Sequence, residues 1–160
     1  MPTPFDAIKA DFFRLTSDIV WCTITTVAPG GRPRSRILHP IWEMDGDRPV
    51  GWIFTNPSPV KSRHLSANPL VAFSYWSPAQ NVVQGEARTS WVDDAATKKH
   101  VWDMFTTTPP PMGYDLTAFG VTSSEDPGFT VLRLDPDRIQ LLHGEQLTTG
   151  DFTPAVVKFD

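Results

Sequence analysis

Short segments rich in β-branched residues, separated by turn signals, run through most of this chain of 160 residues. Residues 19–27 form the first such segment, and the hairpin signal Ala28-Pro29-Gly30-Gly31 follows it directly. A return strand is predicted over residues 34–44. Further strands are predicted over residues 50–55, 70–76, 82–92, 129–134 and 138–142, with a weaker edge strand over residues 155–159. Because the strands are this numerous and this short, the pattern favours a small β-barrel.

Two or three helices are expected to pack outside the barrel. Thr3-Pro4 precedes a first amphipathic pattern, and Ser58-Pro59 precedes a short helix that ends near Ala67. Asp93-Asp94 precedes another, while residues 106–112 contain three prolines and predict an irregular loop. The apolar faces of the first and last helix are formed by Phe5, Ile8, Phe12, Phe13 and Leu15, and by Val101, Trp102 and Phe105. The predicted fold is therefore one α+β domain over residues 1–160, mainly β, with a six-stranded antiparallel barrel.

Composition narrows the functional class. The formal net charge is −4 and the pI is about 5.5, so a generic nucleic-acid binder is not expected. No apolar run approaches the roughly 20 residues that cross a bilayer, so no membrane partner is expected. The first residues lack the basic and apolar regions of a secretory signal, and Cys22 is the only cysteine. A reducing cytoplasm is the expected location.

Positive charge is concentrated around one predicted strand end. Arg34 and Arg36 share one face of the return strand, and Ser35 lies on the other. Lys61 and Arg63 lie in the first turns of the following helix, where free N–H groups also attract anions. Taken alone, the arginines also fit a solvated strand face. The two clusters together indicate a phosphate site.

The chain shows no residues that would perform chemistry unaided. The four histidines lack the spacing of a metal site, so no metal is expected, and no carboxylate pair suggests a hydrolase. No catalytic side chain is identified. A phosphate site without an acid, base or nucleophile favours a cofactor that carries the chemistry itself, and a flavin fits this description.

The order of these motifs resembles that of the pyridoxamine 5′-phosphate oxidase-like split-barrel flavoproteins. The resemblance covers roughly residues 5–142. It is carried by Gly31-Arg32-Pro33-Arg34-Ser35-Arg36-Ile37-Leu38, Ile53-Phe54-Thr55-Asn56, Lys61-Ser62-Arg63-His64-Leu65-Ser66-Ala67-Asn68-Pro69, Asn81-Val82-Val83-Gln84-Gly85 and Leu132-Arg133-Leu134-Asp135-Pro136-Asp137-Arg138-Ile139.

The resemblance implies a homodimer that binds FMN between its subunits and acts on a small molecule. It implies that Arg36 and Lys61 hold the phosphate and that Thr55, next to Phe54, supports them. The backbone of Ile37 and Leu38 would line the ring, and Asn81 would face the flavin. Arg34, Ser35 and Arg63 are further expected contacts.

The sequence departs from the true oxidases where these bind their substrate. A basic residue is expected after the apolar run of the second strand, but Ile41 and Trp42 stand there, and the C-terminal Arg-x-His pair is absent. The favoured function is therefore an FMN-dependent oxidoreductase that does not act on pyridoxamine phosphate. Two alternatives remain: a reductase that uses the deazaflavin F420 on the same barrel, and a non-catalytic carrier or sensor of flavin or haem.

Overall fold

The computed structural model describes residues 3–159, which form a curved antiparallel sheet with helices packed around it. The α-helices are α1 (Lys9–Ile19), α2 (Pro59–Ala67), α3 (Ala95–Thr107) and α4 (Gly144–Thr148). The strands are β1 (Cys22–Val27), β2 (Pro33–Leu38), β3 (Ile41–Asp45), β4 (Arg48–Phe54), β5 (Leu70–Trp76), β6 (Val82–Trp91), β7 (Val131–Leu142) and β8 (Ala155–Lys158). Short 3-10 turns lie at Phe5–Ala7 and Leu116–Phe119.

The strand order requires the sheet to close on itself. Hydrogen-bonded neighbours follow the order β2-β1-β5-β6-β7-β4-β3, and β8 pairs with β7 outside this path. In a flat sheet, six strand spacings would separate β2 from β3 by about 29 Å. Only His39 and Pro40 connect these two edge strands, and three Cα steps span at most about 11 Å. The sheet therefore curls into a barrel, and the predicted α+β split-barrel fold is confirmed.

Proline explains two differences between the expected and observed strands. The predicted return strand over residues 34–44 is two strands, because Pro40 has no N–H donor and the chain changes partner there from β1 to β4. The two strands predicted on either side of residues 135–137 are the single strand β7. Pro136 is accommodated in β7 because its partner β6 shifts register between Glu86 and Ala87. The weaker edge strand expected over residues 155–159 is β8, and the sheet has eight strands where a six-stranded barrel was expected.

The helices follow their sequence signals, with shifted ends. Helix α2 begins at Pro59, and the Ser58 hydroxyl accepts a hydrogen bond from the Lys61 N–H at 3.5 Å. Helix α3 begins after Asp94, whose carboxylate accepts from the Thr97 N–H at 2.7 Å, and it runs to Thr107, into the predicted loop. Helix α1 runs to Ile19, so the first strand begins at Cys22 and not at residue 19. No sequence signal had indicated α4.

Successive residues of a strand point to opposite faces of the sheet and contribute to two separate hydrophobic cores. In β4, Ile53 packs inside the barrel while its neighbour Trp52 packs outside, against helix α3. In β7, Leu132 and Val131 divide in the same way. The outer core is covered by α3 and by the irregular segment that follows it, and the candidate site lies where this segment meets the barrel. Across residues 3–159, no helix is both long and apolar enough to cross a membrane.

Candidate functional site

Lys61 is held at the end of β4 by uncharged oxygen atoms. Its Nζ donates to Thr55 Oγ1 at 2.5 Å and to the Asn56 carbonyl at 2.7 Å, and only 6% of the residue is exposed. Thr55 is itself fixed, because its carbonyl accepts from Thr130 Oγ1 at 2.7 Å. Burial, together with the nearby Arg36 guanidinium, lowers the pKa of Lys61 from 10.5 to about 8.

Arg36 belongs to a second polar network, which joins β1, β2 and α2. The β1–β2 register places Thr26 opposite Arg34, and Arg36 Nη1 donates to Thr26 Oγ1 at 2.8 Å and to the Arg34 carbonyl at 3.3 Å. The same hydroxyl lies 2.9 Å from Nδ1 of the buried His64. Because Thr26 Oγ1 already accepts from Arg36, its own proton is free to be donated to His64 Nδ1.

The charge around His64 favours that arrangement. Burial, and then the positive charges of Arg36, Arg34 and Arg63, lower the pKa of His64. A neutral imidazole with an unprotonated Nδ1 accepts the Thr26 proton, and the relay of hydrogen bonds then fixes the direction of the Arg36 guanidinium.

The cations in and near this cluster have no acidic partners in the part of the chain that the structure describes. Among residues 3–159, neither Arg34, Arg36, Lys61 nor Arg63 forms an ion pair with a carboxylate. A buried ammonium beside a guanidinium without a counterion is costly, and a bound anion would relieve that cost. The donor set therefore fits a phosphate group.

An open pocket of about 850 Å³ is lined by Thr55, whose hydroxyl accepts from Lys61, and by the aromatic rings of Phe54 and Phe119, which lie 6.0 Å apart. Its polar end includes Thr55, Asn56 and Thr130, and its other end is mainly aromatic and aliphatic. Its lining consists of Trp21, Ile37, Leu38, His39, Phe54, Thr55, Asn56, Pro57, Pro111, Tyr114, Phe119, Gly120, Val121, Pro127, Gly128 and Thr130. A ligand with a phosphate and a planar apolar ring matches both ends.

The titratable side chains of the pocket are neutral near pH 7. Burial lowers the pKa of His39, and the Met112 backbone opposes this in part. Burial raises the pKa of Tyr114 to about 12. The two rings contact each other with centroids 5.2 Å apart, and the His39 ring also lies edge-on to Trp21 at 5.5 Å.

Most of the predicted site residues lie in this region. Ile37, Leu38, Phe54 and Thr55 line the pocket, and Arg36 and Lys61 form the cation cluster beside it. Ser35 Oγ lies 2.7 Å from Thr25 Oγ1 on the exposed face of the β1–β2 pair.

Of the remaining three predicted residues, two lie near the cluster and one lies elsewhere. Arg34 and Arg63 are exposed near the cluster, where both act on the pKa of His64. Asn81 lies elsewhere in this chain, in a pocket beside α1, and its Oδ1 accepts from the Gly144 N–H at 2.9 Å.

Several residues of the site were not singled out from the sequence. His64 follows Lys61 by three positions on α2, so helical spacing could have placed both on one face. Thr26 is identified only by the β1–β2 register, which no local pattern specifies. Trp21 and Tyr114 come from irregular segments and Phe119 from a short 3-10 turn, and the positions of all three depend on the tertiary fold.

Comparison with known proteins supports the same relationship. The family model described as pyridoxamine 5′-phosphate oxidase matches residues 10–143. No curated protein is significantly similar to the chain in sequence.

Three solved structures share the fold at low sequence identity. A protein related to general stress protein 26, from Clostridium acetobutylicum, is 15% identical over 97% of this chain and 96% of its own, with a TM-score of 0.67. A pyridoxamine 5′-phosphate oxidase-related, FMN-binding protein from Nostoc punctiforme is 17% identical over 88% of this chain and 84% of its own, with a TM-score of 0.59. The haem storage protein HutZ from Vibrio cholerae is 15% identical over 85% of this chain and 94% of its own, also with a TM-score of 0.59.

Proposed function

Because the chain belongs to the pyridoxamine 5′-phosphate oxidase family, we propose that it is an FMN-dependent oxidoreductase whose substrate is not pyridoxamine phosphate. One observation carries the proposal. A buried lysine and an oriented arginine, both without acidic partners in the described residues, lie beside an uncharged, largely apolar pocket. FMN has the matching chemistry, with a phosphate at one end and a planar ring at the other.

In this proposal each residue has a distinct task. Arg36 and Lys61 bind the phosphate, and Thr55 positions Lys61. The pKa of Lys61, about 8, leaves its ammonium mostly protonated at pH 7, and an adjacent phosphate would hold that proton more firmly. The backbone of Ile37 and Leu38 lines the ring, with Phe54 as part of the apolar wall.

The cofactor would supply transfer of hydride or electrons when bound, so the protein needs no nucleophile of its own. What the pocket contributes is orientation and exclusion of water. Its aromatic lining removes solvent from the reacting ring, and no ionised side chain lies there to compete for the transferred charge.

We further propose a homodimer with the flavin between its subunits. Large apolar side chains are exposed on the sheet surface of β2 and β5, namely Ile37 (61% exposed), Leu70 (43%) and Trp76 (55%). An interfacial flavin would also allow Asn81, which does not line the Thr55 pocket of its own chain, to meet a cofactor held by the second copy. Sedimentation at micromolar concentration should give twice the chain mass of 17.8 kDa. A stable monomer that still held flavin would contradict this arrangement.

F420 is the second candidate cofactor. Arg34 and Arg63 add exposed cations beyond Arg36 and Lys61, and these suit a longer polyanionic tail. A non-catalytic carrier or sensor of flavin or haem is the remaining alternative, since the fold is shared with a haem storage protein. The absorption spectrum of the purified protein separates the three cofactors, because FMN, F420 and haem absorb at different wavelengths.

The decisive experiment is a paired titration with FMN and riboflavin, followed by flavin fluorescence. Riboflavin has the same ring and lacks the phosphate, so the proposal expects FMN to bind at least tenfold more tightly. Equal affinities would remove the phosphate site from the proposal. Tight FMN binding without oxidation or reduction of any tested small molecule would favour a carrier over an enzyme.

A further inference from the structure

Among residues 3–159, no ionised side chain lines the pocket beyond Thr55. The residues that line it include no Asp, Glu, Lys or Arg. Its two titratable side chains, His39 and Tyr114, are neutral near pH 7, because burial lowers the pKa of the first and raises that of the second. A ligand that carried a charge into this part of the pocket would lose hydration and find no counterion.

Large aromatic rings lie exposed at the same end of the pocket. Trp21 is 61% exposed and Phe119 is 64% exposed, although both are among the most apolar side chains in the chain. Tyr114 continues this surface, with its ring 5.7 Å from that of Phe119 and edge-on to it. Aromatic faces that line a cavity and stay in contact with water are typical of a site that binds a planar apolar ligand.

The two observations together specify a ligand class. We infer that the aromatic end of the pocket, formed around Trp21, Tyr114 and Phe119, binds an uncharged, planar, apolar substrate. This inference rests on the proposed function, because it assigns the FMN phosphate to the cations, the flavin ring to Ile37, Leu38 and Phe54, and the substrate to the aromatic rings beyond them. It distinguishes this chain from a catalyst for phosphorylated or carboxylated substrates.

Three matched probes test the inference on the FMN-loaded protein. 2-Naphthol, naphthalene-2-sulfonate and 2-(aminomethyl)naphthalene share one ring system and are neutral, anionic and cationic at pH 7. Isothermal titration calorimetry should give 2-naphthol an affinity at least tenfold higher than either ion, since each ion must enter without a counterion. An ion that bound as tightly as 2-naphthol would overturn the inference.

A charge introduced at the pocket mouth provides the matched variant. Phe119 is mostly exposed, so Phe119→Arg should fold normally. It should bring the sulfonate to at least the affinity of 2-naphthol. Phe119→Gln is the control: it removes the ring without adding charge, and should weaken 2-naphthol while leaving the order of the probes unchanged. An unchanged order in Phe119→Arg would contradict the assignment.

The outcome can be separated from that of the proposed function. Flavin absorbance is recorded during each titration, and displacement of FMN by 2-naphthol would show that the aromatic end belongs to the cofactor, which overturns the inference. If Phe119→Arg instead dissociates a dimer and 2-naphthol does not bind, the rings form a subunit contact and the inference is again wrong. If the protein binds FMN no better than riboflavin, it is the proposed function that fails.

Discussion

The two ends of the pocket differ in charge: one concentrates positive charge, and the other is apolar and uncharged. At one end, Lys61 and Arg36 bring two positive charges together, and only hydroxyl and carbonyl oxygens contact them. At the other end, Trp21 and Phe119 leave apolar rings in water, with no charge in the lining. Each end is unfavourable for the protein alone: an anionic group would relieve the first, and an apolar ring would relieve the second. Buried cations without a counterion and aromatic rings exposed to water are therefore two independent signs of a binding site.

The two ends also differ in how the chain builds them. The cations project from regular elements: the β1–β2 register orients Arg36, and the first turn of α2 orients Lys61. The aromatic end draws on irregular segments, among them the one that carries Tyr114 and Phe119 between α3 and β7. A rigid scaffold that presents variable loops is the usual way in which one fold serves many substrates. Under the proposed function, cofactor binding would therefore depend on the fold, and substrate choice would depend on the loops.

The largest expected effect concerns a substrate with its own phosphate. Oxidation of pyridoxamine 5′-phosphate should be about a thousandfold slower in kcat/KM than for an enzyme that supplies two cations to that phosphate, because several kcal/mol of transition-state binding are missing. Ile41 and Trp42, which replace the expected basic residue, are both buried and uncharged. The assay is oxygen-coupled turnover by the FMN-loaded protein. A micromolar KM with a turnover of about one per second would show that both ends of the pocket accept phosphate.

Removing the buried ammonium tests the cation end alone. Lys61→Ala should weaken FMN binding by roughly ten- to a hundredfold, because a charge-assisted contact is worth about 1.5–3 kcal/mol. Riboflavin affinity should change little. Arg63→Ala is the matched control: it removes an exposed cation from the same helix and should cost less than about threefold. Equal FMN affinities for wild type and Lys61→Ala would remove Lys61 from the site.

The sequence predicted the cation end far better than the aromatic end, for a physical reason. Arg36 and Lys61 are contiguous with strong local signals, a strand and a Ser-Pro helix start, so their placement follows from short-range rules. The positions of Thr26 and His64 in the site depend on the strand register and on the packing of the helix against the sheet, and local sequence patterns do not specify either. Phe119 and Tyr114 lie after Pro109-Pro110-Pro111, where the sequence predicted only an irregular loop. The eight-strand barrel shows the same limit, since its closure at His39-Pro40 is a property of the whole sheet.

A smaller effect on FMN affinity is expected from Thr26, which orients the Arg36 guanidinium and does not itself contact the ligand in this proposal. Thr26→Val removes the hydroxyl that accepts from Arg36 Nη1 at 2.8 Å and keeps nearly the same volume. FMN affinity should fall about tenfold, because a guanidinium that loses its direction loses much of one charge-assisted bond. Thr26→Ser retains the hydroxyl and should restore the affinity.

Riboflavin distinguishes positioning from general damage to the barrel. Its binding should be the same in wild type, Thr26→Val and Thr26→Ser, since it offers no phosphate to Arg36. A parallel loss of FMN and riboflavin in Thr26→Val would show that the hydroxyl supports the β1–β2 pair and has no specific role at the cation end.

The last expected effect is on stability and not on binding: a pH dependence that belongs to the cation end. In the folded protein without FMN the pKa of Lys61 is about 8, against 10.5 for an unperturbed lysine. Between these values the unfolded chain binds a proton that the folded chain has released, so the free energy of unfolding rises as the pH rises through this window.

Below about pH 8 both states are protonated, and the penalty for the buried charge is fully present. The full pKa shift corresponds to about 3 kcal/mol, so relative to Lys61→Met, which cannot titrate, the wild-type melting temperature should rise by about 6–12 °C across the window. Bound FMN should remove the rise, because its phosphate stabilises the protonated ammonium and returns the pKa towards its usual value. Differential scanning calorimetry of both proteins, with and without FMN, measures this directly. An identical rise in Lys61→Met would assign the pH dependence to groups other than Lys61.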